Sequence, residues 1–290
     1  MTTASTIDQR LTAHLVGPRP TLDQRSAIAT TEVVDIDLAG IVAAGRYVVP
    51  ARRACLAPRT PLRSGGRDDA TAVSELLHGE AFDLFDCVGE WGFGRSVRDR
   101  YTGWVALAAL GDASDAVSQA VTARLAPVFS APDIKAPVIA ELPFGARVSG
   151  AVEGGFVALH GGGFVHYRHL APFAGSALTA ARMFAGAPYL WGGRTPLGVD
   201  CSGLVQAALA TCGVAAPRDS DQQRENLGTA VPFADRQGGD IVFFPGHVGM
   251  LVDADTLLHA NAHWMAVVEE PLADVVARGA EVLRVRRVTV

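Results

Sequence analysis

The sequence predicts an α+β protein in which two small all-β barrels stand ahead of a C-terminal domain that runs from helix to sheet. Short strand signals repeat across residues 51–173, helical periodicity takes over after Pro172, and a glycine-rich loop then runs into a helix that carries Cys201 in its first turn. The organisation follows as an N-terminal segment 1–50, barrels at 51–115 and 116–173, and a C-terminal domain at 174–290.

Composition sets the outer limits. With 290 residues, 49% hydrophobic and 19% charged, the chain is long enough for several well-packed domains. A net charge of −5 with both signs interspersed gives no footprint for nucleic acid or an anionic membrane surface. The first thirty residues carry Asp8, Arg10, Arg19, Asp23 and Arg25 and no signal-peptide core, and runs such as Trp104–Leu110 fall far short of the roughly 20 residues of a membrane span. The expectation is a soluble, cytoplasmic protein.

Within residues 1–50, Thr6 to Leu15 reads as a short helix and Val33 to Leu38 as an extended segment, neither with a function. The barrels are read from an internal repeat. Glu75-Leu76-Leu77-His78-Gly79 lines up with Glu141-Leu142-Pro143-Phe144-Gly145 at an offset of 66, and Trp104 to Leu110 lines up with Phe164 to Leu170 at an offset of 60. The first copy therefore carries six extra residues, near Val97 to Tyr101, which bring Arg95, Arg98, Asp99, Arg100 and Tyr101 together. Tandem barrels of this size serve as spacers or docking modules; a loop enlarged in one copy alone gives that copy a further task or is merely solvated.

After Pro172, Leu178 to Ala187 reads as an alanine-rich helix. Leu204, Val205, Ala208, Leu209 and Cys212 then share a helical face, with Asp200 as N-cap and Gly213 as stop. Cys201 sits where unpaired N–H groups and the helix dipole favour thiolate, so a lowered pKa is expected. Gly192, Gly193, Gly198 and Gly203 keep bulk away from it. The four cysteines show no C-x-x-C spacing, and Cys201 and Cys212 lie roughly 16 Å apart along one helix, too far to pair.

Asp240 to Phe244 is a β-run, and a hairpin follows in His247 to Val252 and Leu257 to Asn261 across the turn Asp253-Ala254-Asp255-Thr256. Alternation puts His247, Gly249 and Leu251 on one face and Leu257, His259 and Asn261 on one face. If Gly249 opposes His259, His247 is a diagonal neighbour at roughly 7 Å, within imidazole reach. A nucleophile, a base and an orienting group are then together. A metal site using His259 and His263 is the competing use, but no matching carboxylate motif accompanies them on what reads as a strand. No metal or organic cofactor is expected.

Asp200-Cys201-Ser202-Gly203-Leu204, preceded by Pro188-Tyr189-Leu190-Trp191-Gly192-Gly193 and followed by Gly239 to Phe244, His247-Val248-Gly249 and Leu258-His259-Ala260, resembles the NlpC-type papain-like cell-wall peptidases over residues 174–290. With tandem SH3-like barrels ahead, it looks like the γ-D-glutamyl-L-diamino acid endopeptidases. The resemblance implies Cys201 as nucleophile, His247 as base and acid, and His259 as orienter. It also implies that Asp219 and Tyr101, with Glu75 or Glu80, hold the free N-terminal ammonium of an L-Ala murein tripeptide or tetrapeptide, and that Ser202 and Tyr189 contact it. A related amidase or acyltransferase and an idle binding module are the rival readings. A site that buries carboxylates for an ammonium rejects acylated amines, which points to released wall peptides and a recycling role.

Overall fold

The computed structural model describes residues 21–113 and 118–289, so the helix expected at Thr6 to Leu15 lies outside the described residues. Val33 to Leu38 is only half extended: Val34–Asp35 pairs in parallel with Tyr47–Val48, whereas Ile36–Leu38 is a 3-10 turn. Asp35 makes the break, because its carboxylate accepts the Asp37 N–H and caps that turn.

From Ala51 to Asp112 the chain forms an antiparallel seven-stranded sheet in the spatial order Ala72–Leu77, Arg59–Arg63, Thr102–Ala106, Trp91–Ser96, Ala81–Val88, Ala51–Cys55 and Leu110–Asp112. Its core is Cys55, Leu62, Leu76, Phe82, Tyr101 and Val105. A five-stranded sheet follows, ordered Val138–Pro143, Leu125–Phe129, Phe164–His166, Phe156–Ala158 and Val152–Glu153, with Ser118–Ala120 paired to Arg147–Ser149 beside it.

The repeat read in the sequence has a structural counterpart. Both Glu-Leu pairs end a strand, Gly79 and Gly145 follow at φ +73° and +89°, and Trp104 and Phe164 lie on strands that pass into the 3-10 turns Leu107–Ala109 and Tyr167–His169. At Gly79 a side chain is also excluded sterically, since its Cβ would lie 2.3 Å from the Arg147 carbonyl oxygen. The two β units meet there: the Arg147 N–H donates to the His78 carbonyl at 2.7 Å.

The C-terminal domain packs helices on an antiparallel six-stranded sheet, and the α+β class read from the sequence holds. Its first helix, α1 (Ala177–Arg182), is capped by Ser176. It stops well before Ala187, because Met183, Phe184 and Ala185 donate to carbonyls three residues back and tighten the chain out of the α-helix. After α2 (Cys201–Ala210) and α3 (Ser220–Asn226) the sheet runs in the order Thr229–Val231, Arg284–Arg287, Ile241–Phe244, His247–Leu251, Thr256–Asn261 and Ala266–Pro271, with α4 (Leu272–Ala277) at its edge. Residues Cys201 to Leu209 of α2 are all buried, a helix enclosed rather than laid on one face. Leu204 and Ala208 meet Phe184, Met250 and Leu258, while Val205 and Leu209 meet Ile241, Phe243 and Val248. Among the described residues no helix is long and apolar enough to cross a membrane.

Both β units are locked to this domain. Phe144 of the second packs edge-on against Phe184 of α1 at 5.7 Å between ring centroids. The first is joined by Arg194, which is 2% exposed and donates to both Glu80 carboxylate oxygens at 2.9 Å and to the Glu75 carbonyl. Arg98, from the enlarged loop, bridges Glu80 to the Gln206 carbonyl of α2, and the Gln206 amide donates to Asp99 of the same loop at 2.9 Å. Removing one member of a buried charged pair leaves the other uncompensated at a cost of roughly 3–5 kcal/mol. Arg194→Ala should therefore lower the unfolding free energy measured by urea titration by that amount, whereas Arg67→Ala, whose Asp69 partner is exposed, should leave it within about 0.5 kcal/mol.

Candidate active site

The site is built on the first turn of α2. Asp200 caps it, with Oδ1 accepting the Gly203 N–H at 2.7 Å and Oδ2 accepting the Gly192 N–H at 2.9 Å. Gly203 is required by approach rather than by φ: its Cβ would stand 2.3 Å from the Gly193 carbonyl oxygen. The cysteine loop is thus drawn against the helix start, and Cys201 comes to rest 6% exposed against Val248 of the sheet.

In the hairpin, Met250 pairs with Leu258 and Leu251 with Leu257. One step further along that register brings Gly249 level with His259, whose Cβ would be 3.0 Å from a Cβ on Gly249. The absent side chain leaves room for His247 to lean across, and His247 Nε2 lies 2.8 Å from His259 Nδ1. His259 Nε2 in turn lies 2.8 Å from Glu270 Oε1, which also accepts from Arg278 at 2.6 Å. This chain fixes the tautomers. Ionised Glu270 only accepts, so His259 carries its proton on Nε2; His259 Nδ1 then accepts from His247 Nε2, and the free lone pair of His247 is on Nδ1. Both His259 nitrogens are committed, which leaves none for a metal shared with His263.

The electrostatics differ from the expectation of a lowered thiol pKa. Burial pushes Cys201 up, the Asp200 carboxylate adds to it, and together they outweigh the Val248 and Ser202 N–H groups, taking the thiol to about 11. The helix terminus fails to activate it because the N-cap is itself an anion that meets the terminus's positive end. Burial, reinforced by His259, lowers His247 to about 4, and burial lowers His259 too. Glu270 is pushed up by burial but held below its ordinary range by Arg278 and His259. Both the Cys201 thiol and the His247 imidazole are therefore neutral at pH 7.

The remaining residues named from the sequence fall into distinct environments. Tyr101 is 8% exposed and its hydroxyl donates to Asp219 Oδ2 at 2.9 Å, across the junction between the first barrel and the C-terminal domain. Asp219 directly precedes α3, whose Gln223 amide donates to the Ser202 carbonyl at 3.0 Å, so this junction borders the first turn of α2. The Ser202 hydroxyl is buried between Asp200 and Arg218. Burial, with Cys201 and Asp200 nearby, raises Tyr189 to about 12, which keeps a neutral phenol at the mouth of the site. Glu75 is saturated by Arg59 and by the Arg194 N–H, and Glu80 by Arg194, Arg98 and the Leu77 N–H. Neither offers a free oxygen to an incoming cation.

Residues 186–277 match the NlpC/P60 family model, and residues 62–110 match the model of the bacterial dipeptidyl-peptidase SH3 domain. Residues 186–277 form an NlpC/P60 domain. The chain is 38% identical over 85 residues to a γ-D-glutamyl-L-lysine dipeptidyl-peptidase of Bacillus subtilis, covering 27% of this chain and 28% of that protein. It is 44% identical over 84 residues to a probable endopeptidase of Corynebacterium glutamicum, covering 28% and 40%. The matched stretches thus span less than half of these relatives. A crystal structure of an NlpC/P60 family protein from Bacillus cereus covers 82% of this chain and 99% of its own, with a TM-score of 0.68 at 20% identity, and shares the fold; in this chain that fold is an SH3-like all-β region followed by a papain-like domain.

Sequence reasoning missed two residues of the NlpC/P60 site. Glu270 shares a strand face with Val268, the partner of His259, and so is its diagonal neighbour; aligning the next strand on the hairpin would have found it. Arg218 stood in the sequence beside Asp219, but nothing there signals that it is fully buried against Asp200.

Two outcomes follow from the neutral thiol and imidazole. In the unliganded protein, iodoacetamide should label Cys201 slowly at pH 7 and faster as pH rises toward 10; labelling at pH 7 faster than that of exposed Cys87 would mean that a thiolate–imidazolium pair already exists. Stability has a defined sign as well. The unfolded histidines bind protons near pH 6.5, where the folded ones refuse them, so stability should fall as pH drops from about 6.5 toward 4, by on the order of 3 kcal/mol for His247. A His247→Gln variant should show a flatter melting-temperature profile over that window.

Proposed function

We propose that this protein is a cysteine endopeptidase that hydrolyses the γ-D-Glu–L-diamino acid bond of free murein stem peptides bearing an N-terminal L-Ala, in the cytoplasmic recycling of peptidoglycan. The observation that supports the reading is the Tyr101–Asp219 hydrogen bond, which joins the first barrel to a partly exposed carboxylate of the C-terminal domain, next to the helix that bonds the first turn of α2. An ammonium is the group such a carboxylate and phenol recognise, and a murein peptide has one at L-Ala only after release from the glycan. The names of the relatives, γ-D-glutamyl-L-lysine dipeptidyl-peptidases among them, support the bond assigned.

The chemistry uses the tautomers derived above. As the scissile carbonyl carbon approaches, the Cys201 proton passes to His247 Nδ1 and the sulfur attacks. His247 then returns that proton to the departing amine of the diamino acid, leaving a thioester of L-Ala-γ-D-Glu on Cys201. A water, deprotonated by His247, hydrolyses the thioester and restores the thiol. The Glu270 charge, acting through His259, stabilises the imidazolium formed between these steps.

Incubation with L-Ala-γ-D-Glu-meso-diaminopimelate should release L-Ala-D-Glu, detected by mass spectrometry, and Cys201→Ala or His247→Ala should abolish release without loss of fold. N-acetylating the alanine should cost about 2 kcal/mol of binding, the lower end of the range for a charged pair because Asp219 is partly exposed. Asp219→Asn should narrow that discrimination. Equal cleavage of free and acetylated peptide refutes the amine reading; no cleavage of either refutes the substrate class. Glu270→Gln should lower kcat about tenfold for each pKa unit of imidazolium stabilisation removed, leaving KM unchanged.

A further inference from the structure

The segment ahead of the first barrel, to which the sequence assigned no function, reaches the same carboxylate. Arg25 Nη1 donates to Asp219 Oδ2 and to Asp221 Oδ1, each at 2.9 Å, while Nη2 donates to Asp221 Oδ2 at 3.0 Å and to Asp23 Oδ2 at 2.7 Å. The guanidinium is anchored on every side. Asp23 also accepts from Gln222 of α3, and the main chain of the segment is pinned beside Tyr101, with Thr102 donating its N–H to the Arg25 carbonyl and its hydroxyl to the Gln24 carbonyl at 2.7 Å. Ile28 then buries itself against Val33 and Phe85.

We infer that Arg25 is a positioning residue of the amine subsite, holding Asp219 so that a single carboxylate oxygen stays free for the substrate ammonium. This rests on the reading of Asp219 given above. Two donors, the Arg25 guanidinium and the Tyr101 hydroxyl, converge on Oδ2, and among the described residues no donor reaches Oδ1. A carboxylate gripped at one oxygen cannot rotate, so Oδ1 keeps one direction. The grip also sets the charge. Asp23, Asp219 and Asp221 would crowd three negative charges around the subsite, and Arg25, which these carboxylates hold firmly protonated, offsets one of them. Because Glu75 and Glu80 are saturated by arginines, Asp219 Oδ1 is the oxygen left for amine recognition, and its orientation determines selectivity.

The test compares wild type with Arg25→Gln and Arg25→Lys on L-Ala-γ-D-Glu-meso-diaminopimelate and its N-acetyl form, with thermal melts on each protein. Arg25→Gln should raise KM for the free-amine peptide about fivefold, the upper end for a partly exposed ion pair, with kcat and the rate of Cys201 alkylation unchanged. The acetylated peptide, which does not use Asp219, should be cleaved as by wild type. Arg25→Lys keeps the charge but cannot bridge three carboxylates, and should fall between the two. Asp221→Asn removes an anchor of Arg25 without touching Asp219 and should raise the same KM by a smaller factor. An unchanged KM in Arg25→Gln overturns the inference, and so does a lowered one, which would make Arg25 a competitor of the ammonium. Discrimination by wild type with no effect of Arg25→Gln refutes the role of Arg25 alone; equal cleavage of both peptides by wild type refutes the amine reading itself.

Discussion

The buried ion pair between Asp200 and Arg218 fixes the position of everything around it. The two side chains meet through two parallel N–H···O bonds of 3.0 and 2.6 Å with almost no exposure to solvent. Burying two charges costs several kcal/mol each, so such a pair adds little net stability; what it gives is a single arrangement, because any other leaves a charge unpaired. The remaining lone pairs of Asp200 take the Gly192 and Gly203 N–H groups, which joins the cysteine loop to the start of α2. The Arg218 Nε donates to Ser74 of the first barrel, and the next residue is Asp219. One pair thereby sets Cys201, the loop drawn against it, the contact with the first barrel and the start of the segment that carries Asp219.

What could be read in the sequence was whatever repeats locally. Alternation and the turn at Asp253–Thr256 gave the hairpin within one residue at each end, and Asp200 was legible as an N-cap because capping is decided within three residues. The domain order was legible from the repeat and from the ordered motifs around Cys201. Charge pairing was not. The resemblance implied Glu75, or else Glu80, as an amine reader, but their oxygens are met by Arg194, Arg59 and Arg98, partners up to 119 residues away that no local pattern announces. The thiol expectation failed for a related reason: a helix terminus was counted without the burial and the anion that accompany it.

The two β units share a plan and are used differently. The second supports α1 through Phe144 and a mostly apolar contact. The first meets the C-terminal domain through Arg194, Arg98, Asp99, Arg218 and Tyr101, contacts that are polar and directional. Arg98, Asp99 and Tyr101 come from the loop by which the first copy exceeds the second, while Ser74, Glu75 and Glu80 lie on or beside the strand that the two copies share, so the added residues extend a junction begun by that strand. The catalytic half alone would leave Arg194 without Glu75 and Glu80, whereas Arg218 would lose Ser74 and keep Asp200.

The neutral Cys201 has a consequence beyond peptide cleavage. Peroxides and disulfides react with thiolates, so a thiol kept protonated by its surroundings is a poor target for oxidation to sulfenic acid between turnovers. Enzymes that hold a permanent thiolate–imidazolium pair gain speed at the first step and incur oxidative loss while idle. Here the raised thiol pKa keeps the thiolate fraction small at neutral pH, and Cys201 should survive oxidant exposure that would silence a cysteine already ionised.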